Sequence, residues 1–451
     1  MGNKLTFDEI LLKVRALMPD IVQDLKSLIR HPSVAFPGYP SGPVHAMADA
    51  TIAMLKQYGL QDARLVEIPG GYPAVYGEIP APPGAPTVMM YAHYDVQPAR
   101  REDGWETDPW VPVEKGGRLY GRGAADDKSG IVIIAASLGI FEGKPPVGVK
   151  VLIEGEEETT GHLEEFVTAH PDLFRCDAFI VVDNGNFSVG NPTLTTTLRG
   201  EVSCIIDVQT LDHAVHSGSF GGAAPDALVC LIKILATLHD FHGDVAVPGL
   251  RSDTRGNMEY PEEIYRADAG VLDGVDLIGT GPLGSRLWSK PSVTVIGIDA
   301  PSISAASNIL IPRAAAKISM RISPDADAHH EQYLLVDHLR AAAPWGAHVE
   351  VREVSDSSGF ICPTDGPGFA AASRALETAF EKAVRETGAG GSIPLLRVLR
   401  NAVPRAEFIL WGAEDASCSR IHGTNESVDI IELERFIVAQ SLFFQLLSEE
   451  R

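Results

Sequence analysis

The hydrophobic pattern over the first 200 residues alternates between helical and strand-like stretches. Apolar residues at 10, 11, 14, 17 and 21 recur at helical spacing, behind a capping-box signature of Thr6 and Glu9. The pattern predicts this opening helix and further helices over 44–58 and 128–141. Runs of β-forming residues predict strands over 63–67, 74–78, 87–94, 149–154 and 178–182. Because strands alternate with helices and several strands are apolar on both faces, we expect an α/β layered sheet.

From residue 200 the order of elements changes. The pattern predicts, in order, a strand, a helix, two strands, a helix and a strand, over 202–209, 224–239, 292–298, 315–322, 328–343 and 347–354. This β-α-β-β-α-β order indicates a ferredoxin-like α+β domain with its helices on one side of a four-stranded sheet. Residues 240–290 are polar and rich in glycine, so we expect an insertion with little regular structure there.

The α/β pattern returns after residue 356. It predicts a helix over 368–385, a strand over 408–411 and a terminal helix over 431–447. The second domain is therefore predicted to be inserted into the first. The expected boundaries are 1–198 and 356–451 for the outer domain and 199–355 for the inserted one.

Composition and charge narrow the function classes. Among 451 residues, 45% are hydrophobic and 22% charged, which excludes collagen-like, disordered and disulfide-scaffold proteins. The net charge of −23 disfavours nucleic acid and membrane surfaces as partners and leaves small molecules, peptides or cations. The five cysteines lack CxxC spacing and indicate thiols of a reducing cytoplasm. No signal-peptide pattern and no apolar run of about 18 residues is present, so we expect a cytoplasmic protein.

Clusters of His, Asp and Glu follow the ends of several predicted strands, where α/β sheets bind ligands. In the first cluster, His93 and Asp95 leave the strand in an H-x-D unit. Such a unit lets the histidine bind a metal while the aspartate orients its ring. A surface histidine is the alternative for this motif taken alone.

The second cluster is a Gly-rich turn at 121–130 that opens the third helix and contains Asp126 and Asp127. A carboxylate at a helix N-terminus is held in its charged form, which suits a metal ligand. Taken alone, however, this Asp-Asp pair is better explained as a helix cap.

Three further clusters complete the set. They are the acidic run at 154–158, the Asp183 turn after strand 178–182, and a segment that contains His422 and Glu426. An acidic run usually is a solvated loop, but like charges at the end of a buried strand need cations nearby. Two histidines and several carboxylates from separate strand ends, with no thiolate, fit two divalent ions bridged by a carboxylate.

These motifs, in this order, resemble the co-catalytic zinc peptidase family that includes carnosinase, cytosolic nonspecific dipeptidase, carboxypeptidase G, aminoacylase and succinyl-diaminopimelate desuccinylase. The resemblance covers essentially the whole chain. The stretches YAHYDVQP at 91–98, GGSIP at 390–394 and HxxNE at 422–426 are most similar to the dipeptidase branch. The family's fold is a layered α/β catalytic domain with an inserted ferredoxin-like lid and dimerisation domain.

The resemblance implies a role for each metal-site residue. Asp126 would bridge two divalent metals, zinc or alternatively manganese or cobalt. His93 and Asp183 would complete one site, and Glu158 and His422 the other. The resemblance further implies that Glu157 is the general base, that Asp95 orients His93, and that the peptide bond after Asp126 is cis.

It also implies substrate contacts from the inserted domain and the 390–394 loop. His216 would reach the substrate carbonyl oxygen, commonly from the partner subunit of a homodimer. Asn308, Arg321, Gly391 and Ser392 would bind the rest of the substrate. Without the resemblance, Arg321 is better explained as a surface ion-pair residue.

We therefore expect a metal-dependent hydrolase that cleaves the amide bond of dipeptides, with a homodimer formed through the inserted domain. An N-acyl-amino-acid deacylase or desuccinylase is an open alternative, since it shares every metal residue. A non-catalytic peptide-binding homologue is a second alternative, but it should lack Glu157 or a ligand, and none is missing.

Overall fold

The computed structural model describes residues 4–159, 161–252, 260–391 and 394–449. The chain divides into two compact units. The first unit comprises Met1–Thr196, Cys362–Thr387 and Leu395–Arg451, and the second comprises Thr197–Ile361 and Gly388–Pro394. None of the described helices is both long enough and apolar enough to cross a membrane.

The elements of the chain up to residue 198 form the larger part of the first unit. The helices are α1 (Phe7–Ile29), α2 (Gly42–Gln57), α3 (Lys128–Ile140) and α4 (Leu163–Ala169). The strands are β1 (Arg64–Val66), β2 (Ala74–Ile79), β3 (Thr87–His93), β4 (Val113–Lys115), β5 (Arg118–Tyr120), β6 (Gly148–Glu154), β7 (Ala178–Val181), β8 (Gly185–Asn186) and β9 (Thr193–Leu198). The capping box of Thr6 and Glu9 is present at the start of α1, as predicted.

The middle of the chain contains the elements of the second unit. The helices are α5 (Ser217–Phe220), α6 (Ala227–Leu235), α7 (Glu262–Asp268), α8 (Leu283–Trp288) and α9 (Ala328–Ala341). The strands are β10 (Gly200–Gln209), β11 (Val215–His216), β12 (Ser292–Asp299), β13 (Ile309–Leu310), β14 (Arg313–Ile322), β15 (His348–Ser357) and β16 (Phe360–Ile361).

The remaining elements return mainly to the first unit. They are α10 (Pro367–Phe380), β17 (Arg385–Ala389), α11 (Pro394–Ala402), β18 (Glu407–Leu410), β19 (Glu414–Asp415), β20 (Ser427–Asp429) and α12 (Ile430–Glu449).

A six-stranded sheet in the order β1-β2-β6-β3-β7-β18 forms the centre of the first unit. Strands β6, β3, β7 and β18 run parallel to one another, so their carboxyl ends meet at the same edge. In this register His93 is opposite Glu154. The predicted α/β class is thus confirmed. Ligand sites of α/β proteins form at such an edge, so the candidate site is expected at the carboxyl ends of these strands.

Helix α3 is the most deeply buried helix that supports this edge. It packs against α1, α2, α12 and β3, and nearly all of its residues are buried. An apolar helix with no polar face belongs in a core rather than on a surface. The carboxylate of Asp127 caps it by accepting the backbone N–H of Gly130 at 3.1 Å. The same carboxylate accepts the backbone N–H of His93, the last residue of β3, at 3.2 Å, so the start of α3 is fixed relative to the sheet.

The second unit has the predicted ferredoxin-like arrangement. Its sheet has the order β12-β14-β10-β15, and all neighbours are antiparallel. Helices α6 and α9 pack on one face. Strand β14 alternates buried and partly exposed residues, as a sheet covered by helices on one face requires.

Several predicted elements differ from those in the structure. The helix predicted to reach residue 385 ends at Phe380, where Glu381 adopts a left-handed conformation that stops it. The helix predicted over 224–239 is shorter, since Asp226 caps its start at Val229 N–H. The insertion at 240–290 contains α7 and α8, although little structure was expected there.

The two units also share the chain differently from the predicted boundaries. Residues of β16 belong to the second unit because Phe360 pairs with Leu198. Gly388 belongs there as well, and a Cβ placed on it would meet the Cβ of Trp288 at 2.4 Å. The glycine allows this close approach. The segment 388–394 therefore packs with the second unit, although its motif lies in the predicted outer domain.

Candidate metal centre

The predicted metal-site residues come together at the carboxyl edge of the first unit's sheet. His93 is the last residue of β3, Asp183 follows β7, and Glu157 and Glu158 follow β6. Asp126 directly precedes the cap of α3. His422 lies in the segment between β19 and β20. Loops from separate strands thus place these side chains at one edge.

Asp126 lies between two imidazole rings. Its Oδ1 is 2.9 Å from Nε2 of His93, and its Oδ2 is 3.0 Å from Nε2 of His422. Nε2 of His93 is also 3.7 Å from Oδ1 of Asp183, and Nε2 of His422 is 3.1 Å from Oε2 of Glu158. Each oxygen of the central carboxylate thus faces a different histidine, an arrangement that would suit a carboxylate shared by two metals.

Among the described residues, three groups of side chains bring ligand atoms within 4.8 Å of one another. They are His93 with Glu157 and Asp183, Asp126 with Glu158 and His422, and Asp126 with Asp183 and Glu414. The donors are imidazole nitrogens and carboxylate oxygens. This donor set suits zinc, manganese or cobalt better than a metal that needs thiolates. The residues present therefore fit a pair of divalent cations.

The Asp126–Asp127 pair divides two roles between its residues. Asp127 caps α3, and its carboxylate also accepts the backbone N–H of His93 at 3.2 Å. Asp126 faces the histidines. The peptide bond between them is cis, as the resemblance implied. The helix-cap explanation is therefore confirmed for Asp127, and Asp126 stays a predicted metal ligand.

Asp95 holds both a histidine and the acidic loop. Its Oδ1 is 3.4 Å from Nδ1 of His93, and its backbone oxygen is 3.1 Å from the same nitrogen. Its two oxygens accept the backbone N–H groups of Glu157 and Glu158, at 3.0 and 3.1 Å. Asp95 is fully buried. The side chain therefore fixes where the Glu157–Glu158 loop stands relative to β3, a role that goes beyond orienting the ring.

Glu426 holds the loop that presents Asp126. Its carboxylate accepts the backbone N–H groups of Gly123, Ala125 and Asp126 at 3.0 to 3.1 Å. It also pairs with Arg122 at 2.6 Å, and both side chains are buried. The sequence placed Glu426 within the last motif but gave it no role. Because Glu426 follows His422 and binds the backbone at Asp126, its carboxylate joins the loop of His422 to the loop of Asp126.

The pKa values of side chains at the centre reflect the close packing of its ionisable groups. Burial alone lowers the pKa of His93, but Asp183 and Asp126 outweigh that effect and raise it well above its ordinary value. Hydrogen bonds to Asp126 and Glu158 raise the pKa of His422 to about 10. Burial raises the pKa of Asp183 to about 6. A raised pKa means that a carboxyl group keeps its proton to higher pH than an exposed one does. Divalent cations would stabilise the deprotonated side chains and so lower these pKa values.

Glu157 has the environment of a base. Burial raises the pKa of its carboxyl well above the ordinary value, and His93 partly offsets this rise. A carboxylate in such surroundings takes up a proton more readily than an exposed one. A carboxylate oxygen of Glu157 also lies within 4.8 Å of ligand atoms of His93 and Asp183. The loop that carries Glu158 therefore also places Glu157 beside the candidate metal ligands.

Glu414 is a candidate site residue that the sequence did not point out. It lies in the two-residue strand β19, and its carboxylate forms a group with Asp126 and Asp183. Burial raises its pKa well above the ordinary value, and the charges of Asp126 and Asp183 raise it further. Its position just after the apolar strand β18 is the same signal that located the other clusters.

The predicted substrate residues lie in the second unit. His216 is exposed, and its Nδ1 accepts the backbone N–H groups of Gly218 and Ser219 at 3.1 and 3.3 Å. Asn308 is exposed, Arg321 is half-buried and pairs with Glu201 at 3.4 Å, and Gly391 is exposed. Ser392 lies outside the described residues. The ion pair fits the explanation of Arg321 that its sequence alone favoured.

The chain is similar to known peptidases. The model of a family described as "Peptidase family M20/M25/M40" matches residues 89–449. Cysteinylglycine-S-conjugate dipeptidase from Corynebacterium striatum is 38% identical over 439 residues, which cover 94% of both chains. Beta-Ala-His dipeptidase from Homo sapiens is 30% identical over 392 residues, which cover 82% of this chain and 76% of that protein. The crystal structure of human carnosine dipeptidase 1 superposes with a TM-score of 0.80 at 25% identity, covering 99% of each chain.

Proposed function

The chain belongs to peptidase family M20/M25/M40, and from that premise we propose that it is a dinuclear metallopeptidase that hydrolyses the amide bond of dipeptides. The observation that carries the proposal is the position of Asp126 between His93 and His422, with one carboxylate oxygen facing each ring. A carboxylate in this position would hold two cations close together. Two-metal centres of this kind serve hydrolysis.

The proposed ligand sets are those that the resemblance implies, and the distances are compatible with them. His93, Asp126 and Asp183 would hold one cation, and Asp126, Glu158 and His422 would hold the other. The metal is proposed to be zinc, with manganese or cobalt as alternatives. When bound, the cations supply Lewis acidity, which polarises the scissile carbonyl and lowers the pKa of water to about 7.

Glu157 is proposed as the general base. In the hydrolytic step, its carboxylate takes one proton from the water that attacks the carbonyl carbon. The same proton then passes to the amine nitrogen as the C–N bond breaks, so Glu157 ends the cycle as it began. Support comes from its raised pKa and from the hydrogen bond that fixes its backbone on Asp95.

His216 is proposed to donate a hydrogen bond to the carbonyl oxygen as negative charge develops on it. Because Nδ1 accepts two backbone N–H groups, the proton of the neutral ring is on Nε2. A neutral ring with its donor nitrogen pointing away from its own backbone suits an oxyanion contact. Asn308, Arg321, Gly391 and Ser392 are proposed to bind the remainder of the substrate.

A homodimer formed through the second unit is part of the proposal, with His216 acting on the partner's substrate. Strand β12 lies at the edge of the sheet. Its side chains Ile296 and Ile298 are more than half exposed. An apolar edge strand is a surface on which another copy can add its own strand. We also propose a cytoplasmic location, supported by five free thiols at Cys176, Cys204, Cys230, Cys362 and Cys418.

The substrate class is proposed from the relatives, whose names specify dipeptides with different side chains. An N-acyl-amino-acid deacylase is the alternative because it needs the same ligands. The experiment measures metal content per chain and hydrolysis of a panel of dipeptides, N-acetyl and N-succinyl amino acids, with and without a chelator. About two metals per chain and chelator-sensitive dipeptide cleavage are expected. Activity on acylated amino acids alone would move the protein to the deacylases.

A further inference from the structure

Glu414 is a carboxylate that the proposed metal ligation does not use. One of its oxygens lies within 4.8 Å of carboxylate oxygens of Asp126 and Asp183. No described residue donates a hydrogen bond to it, and the charges around it are mainly those of other carboxylates. Glu414 is partly exposed, and its carboxylate accepts no hydrogen bond from the described part of the chain. It is therefore available to bind a ligand.

The backbone holds Glu414 in this place. Strands β8 and β19 pair in parallel, with Glu414 opposite Gly185, two residues after Asp183. A Cβ on Gly185 would meet that of Glu414 at 2.5 Å, so the glycine allows the strands to lie this close. The neighbouring Asp415 is buried and pairs with Arg118 at 2.8 Å. Glu414 is therefore preorganised toward the centre, as a recognition residue should be.

The charges at the centre leave room for a positive group. The three ligand groups contain five carboxylates, namely Asp126, Glu157, Glu158, Asp183 and Glu414. Two divalent cations carry four positive charges, so one negative charge is left over. In the proposed function Glu414 is the carboxylate that is neither a metal ligand nor the base, and a positive group of the substrate beside it would complete the balance.

A dipeptide carries such a group beside its scissile carbonyl. The α-nitrogen is separated from the carbonyl carbon by one Cα, and standard bond lengths place the two about 2.5 Å apart. When the carbonyl lies beside the cation proposed to be held by His93 and Asp183, the ammonium group comes within reach of Glu414, whose carboxylate oxygen is within 4.8 Å of one of Asp183. An N-acyl amino acid has no charge at this position.

We propose that Glu414 binds the free α-ammonium group of the substrate and thereby selects dipeptides over N-acyl amino acids. This inference rests on the proposed dipeptidase function and names a residue that determines its specificity. The contact is a charge-assisted hydrogen bond between carboxylate and ammonium, one of the stronger kinds of hydrogen bond in proteins.

The test compares two substrates that differ only in the amino group, alanyl-leucine and N-propionyl-leucine. Glu414→Gln keeps the shape of the side chain and removes its charge. We expect kcat/KM for alanyl-leucine to fall about 10- to 100-fold while that for N-propionyl-leucine changes less than about threefold. Metal content should stay as in the wild type. Glu414→Asp should recover part of the loss, and Glu142→Gln, at a side chain 85% exposed, is the matched control.

Two results would overturn the inference. Equal loss on both substrates together with loss of metal would make Glu414 a ligand, and unchanged kinetics on both would leave it without a role. Binding of alanyl-leucine to Glu157→Gln, with and without Glu414→Gln, measures the contact by calorimetry in the absence of turnover. A wild-type enzyme that binds its metals and alanyl-leucine but cleaves neither substrate would defeat the proposed function. The calorimetric comparison would then still decide the role of Glu414.

Discussion

The carboxylate of Asp95 accepts the backbone N–H of Glu157 at 3.0 Å. This hydrogen bond joins the proposed base to the residue that also faces Nδ1 of His93. One buried aspartate therefore sets the distance between a proposed metal ligand and the proposed base. Groups of this kind, which touch the ligands rather than the metal, tune affinity and activity by 10- to 100-fold.

Substitution of Asp95 tests this link. Asp95→Asn keeps one acceptor oxygen but presents N–H donors where the backbone of Glu157 or Glu158 needs an acceptor. We expect kcat to fall about 10- to 100-fold and metal affinity to weaken by a similar factor. Steady-state kinetics at saturating metal and a metal titration measure the two effects separately. An unchanged kcat in fully loaded enzyme would show that Asp95 acts on the metal alone.

Glu157→Gln separates proton transfer from metal binding. The amide cannot accept the proton of the attacking water, so we expect kcat to fall by about 100- to 10,000-fold. Metal content should remain near two per chain because His93, Asp126 and Asp183 are untouched. Elemental analysis together with kinetics gives both numbers. A variant that loses one metal would instead identify Glu157 as a ligand, as its distance to His93 and Asp183 permits.

The buried pair of Glu426 and Arg122 should matter for stability and for metal affinity. Glu426→Gln removes the charge that pairs with Arg122 and places an amide group against backbone N–H donors. Loss of one partner of a buried pair costs about 3–5 kcal/mol. We expect the midpoint of thermal unfolding of the apo protein to drop by roughly 10 °C.

The same variant should bind metal more weakly, since Glu426 accepts the N–H of Asp126. Glu142→Gln, at an exposed side chain, serves as the control for loss of a charge. If both variants unfolded within about two degrees of the wild type, the pair would not support the loop.

The strand ends could be located from the sequence because apolar runs followed by His, Asp or Glu are a local pattern. The same pattern after β18 includes Glu414, but β19 has only two residues and gives no periodic signal of its own. Strand β9 was also missed, since its threonine-rich sequence lacks a long apolar run. Its residues are largely buried, which is a property of the fold and not of the local sequence.

Long-range packing set the other limits of prediction. The segment 388–394 is adjacent in sequence to the elements of the first unit, yet Gly388 packs against Trp288 of the second. Nothing in the local composition of a Gly-rich loop specifies such a partner. Likewise, the three backbone N–H groups bound by Glu426 lie some 300 residues earlier in the chain, so only the structure gives this residue a role.

Metal binding should release protons at neutral pH. In the apo protein, the pKa of His422 is raised to about 10, so the ring is protonated at pH 7 and must lose its proton to act as a ligand. Affinity should therefore rise with pH between 7 and 9. Below about pH 6 the affinity should fall more steeply, because Asp183, with its pKa raised to about 6, also takes up a proton.

Calorimetry in buffers with different ionisation enthalpies measures this release. At pH 7 the apparent binding enthalpy should depend on the buffer, with a slope of about one proton or more per metal pair. The slope should decrease in His422→Ala. An enthalpy that is independent of the buffer would show that the apo histidines are neutral and contradict the prediction.

His216→Ala should lower kcat about 100- to 1,000-fold with both metals retained, as expected for the loss of one oxyanion donor. Whether the donor comes from the partner subunit is decided by mixing two inactive variants. If it acts in trans, a hybrid of His216→Ala and Glu157→Gln contains one complete site. When equal amounts of the two variants exchange subunits at random, about half of the dimers are hybrids. Each hybrid has one complete site of two, so about a quarter of all sites regain activity.

The matched control mixes Glu157→Gln with Asp95→Asn. Both substitutions lie in the first unit, so each site of the hybrid retains one of the two defects, and activity should not exceed the mean of the parents. A donor that acts within its own subunit gives no recovery with either mixture, because the His216→Ala and Glu157→Gln defects then remain in separate sites. Recovery with the His216 mixture alone thus requires both the dimer and a contribution of His216 across it.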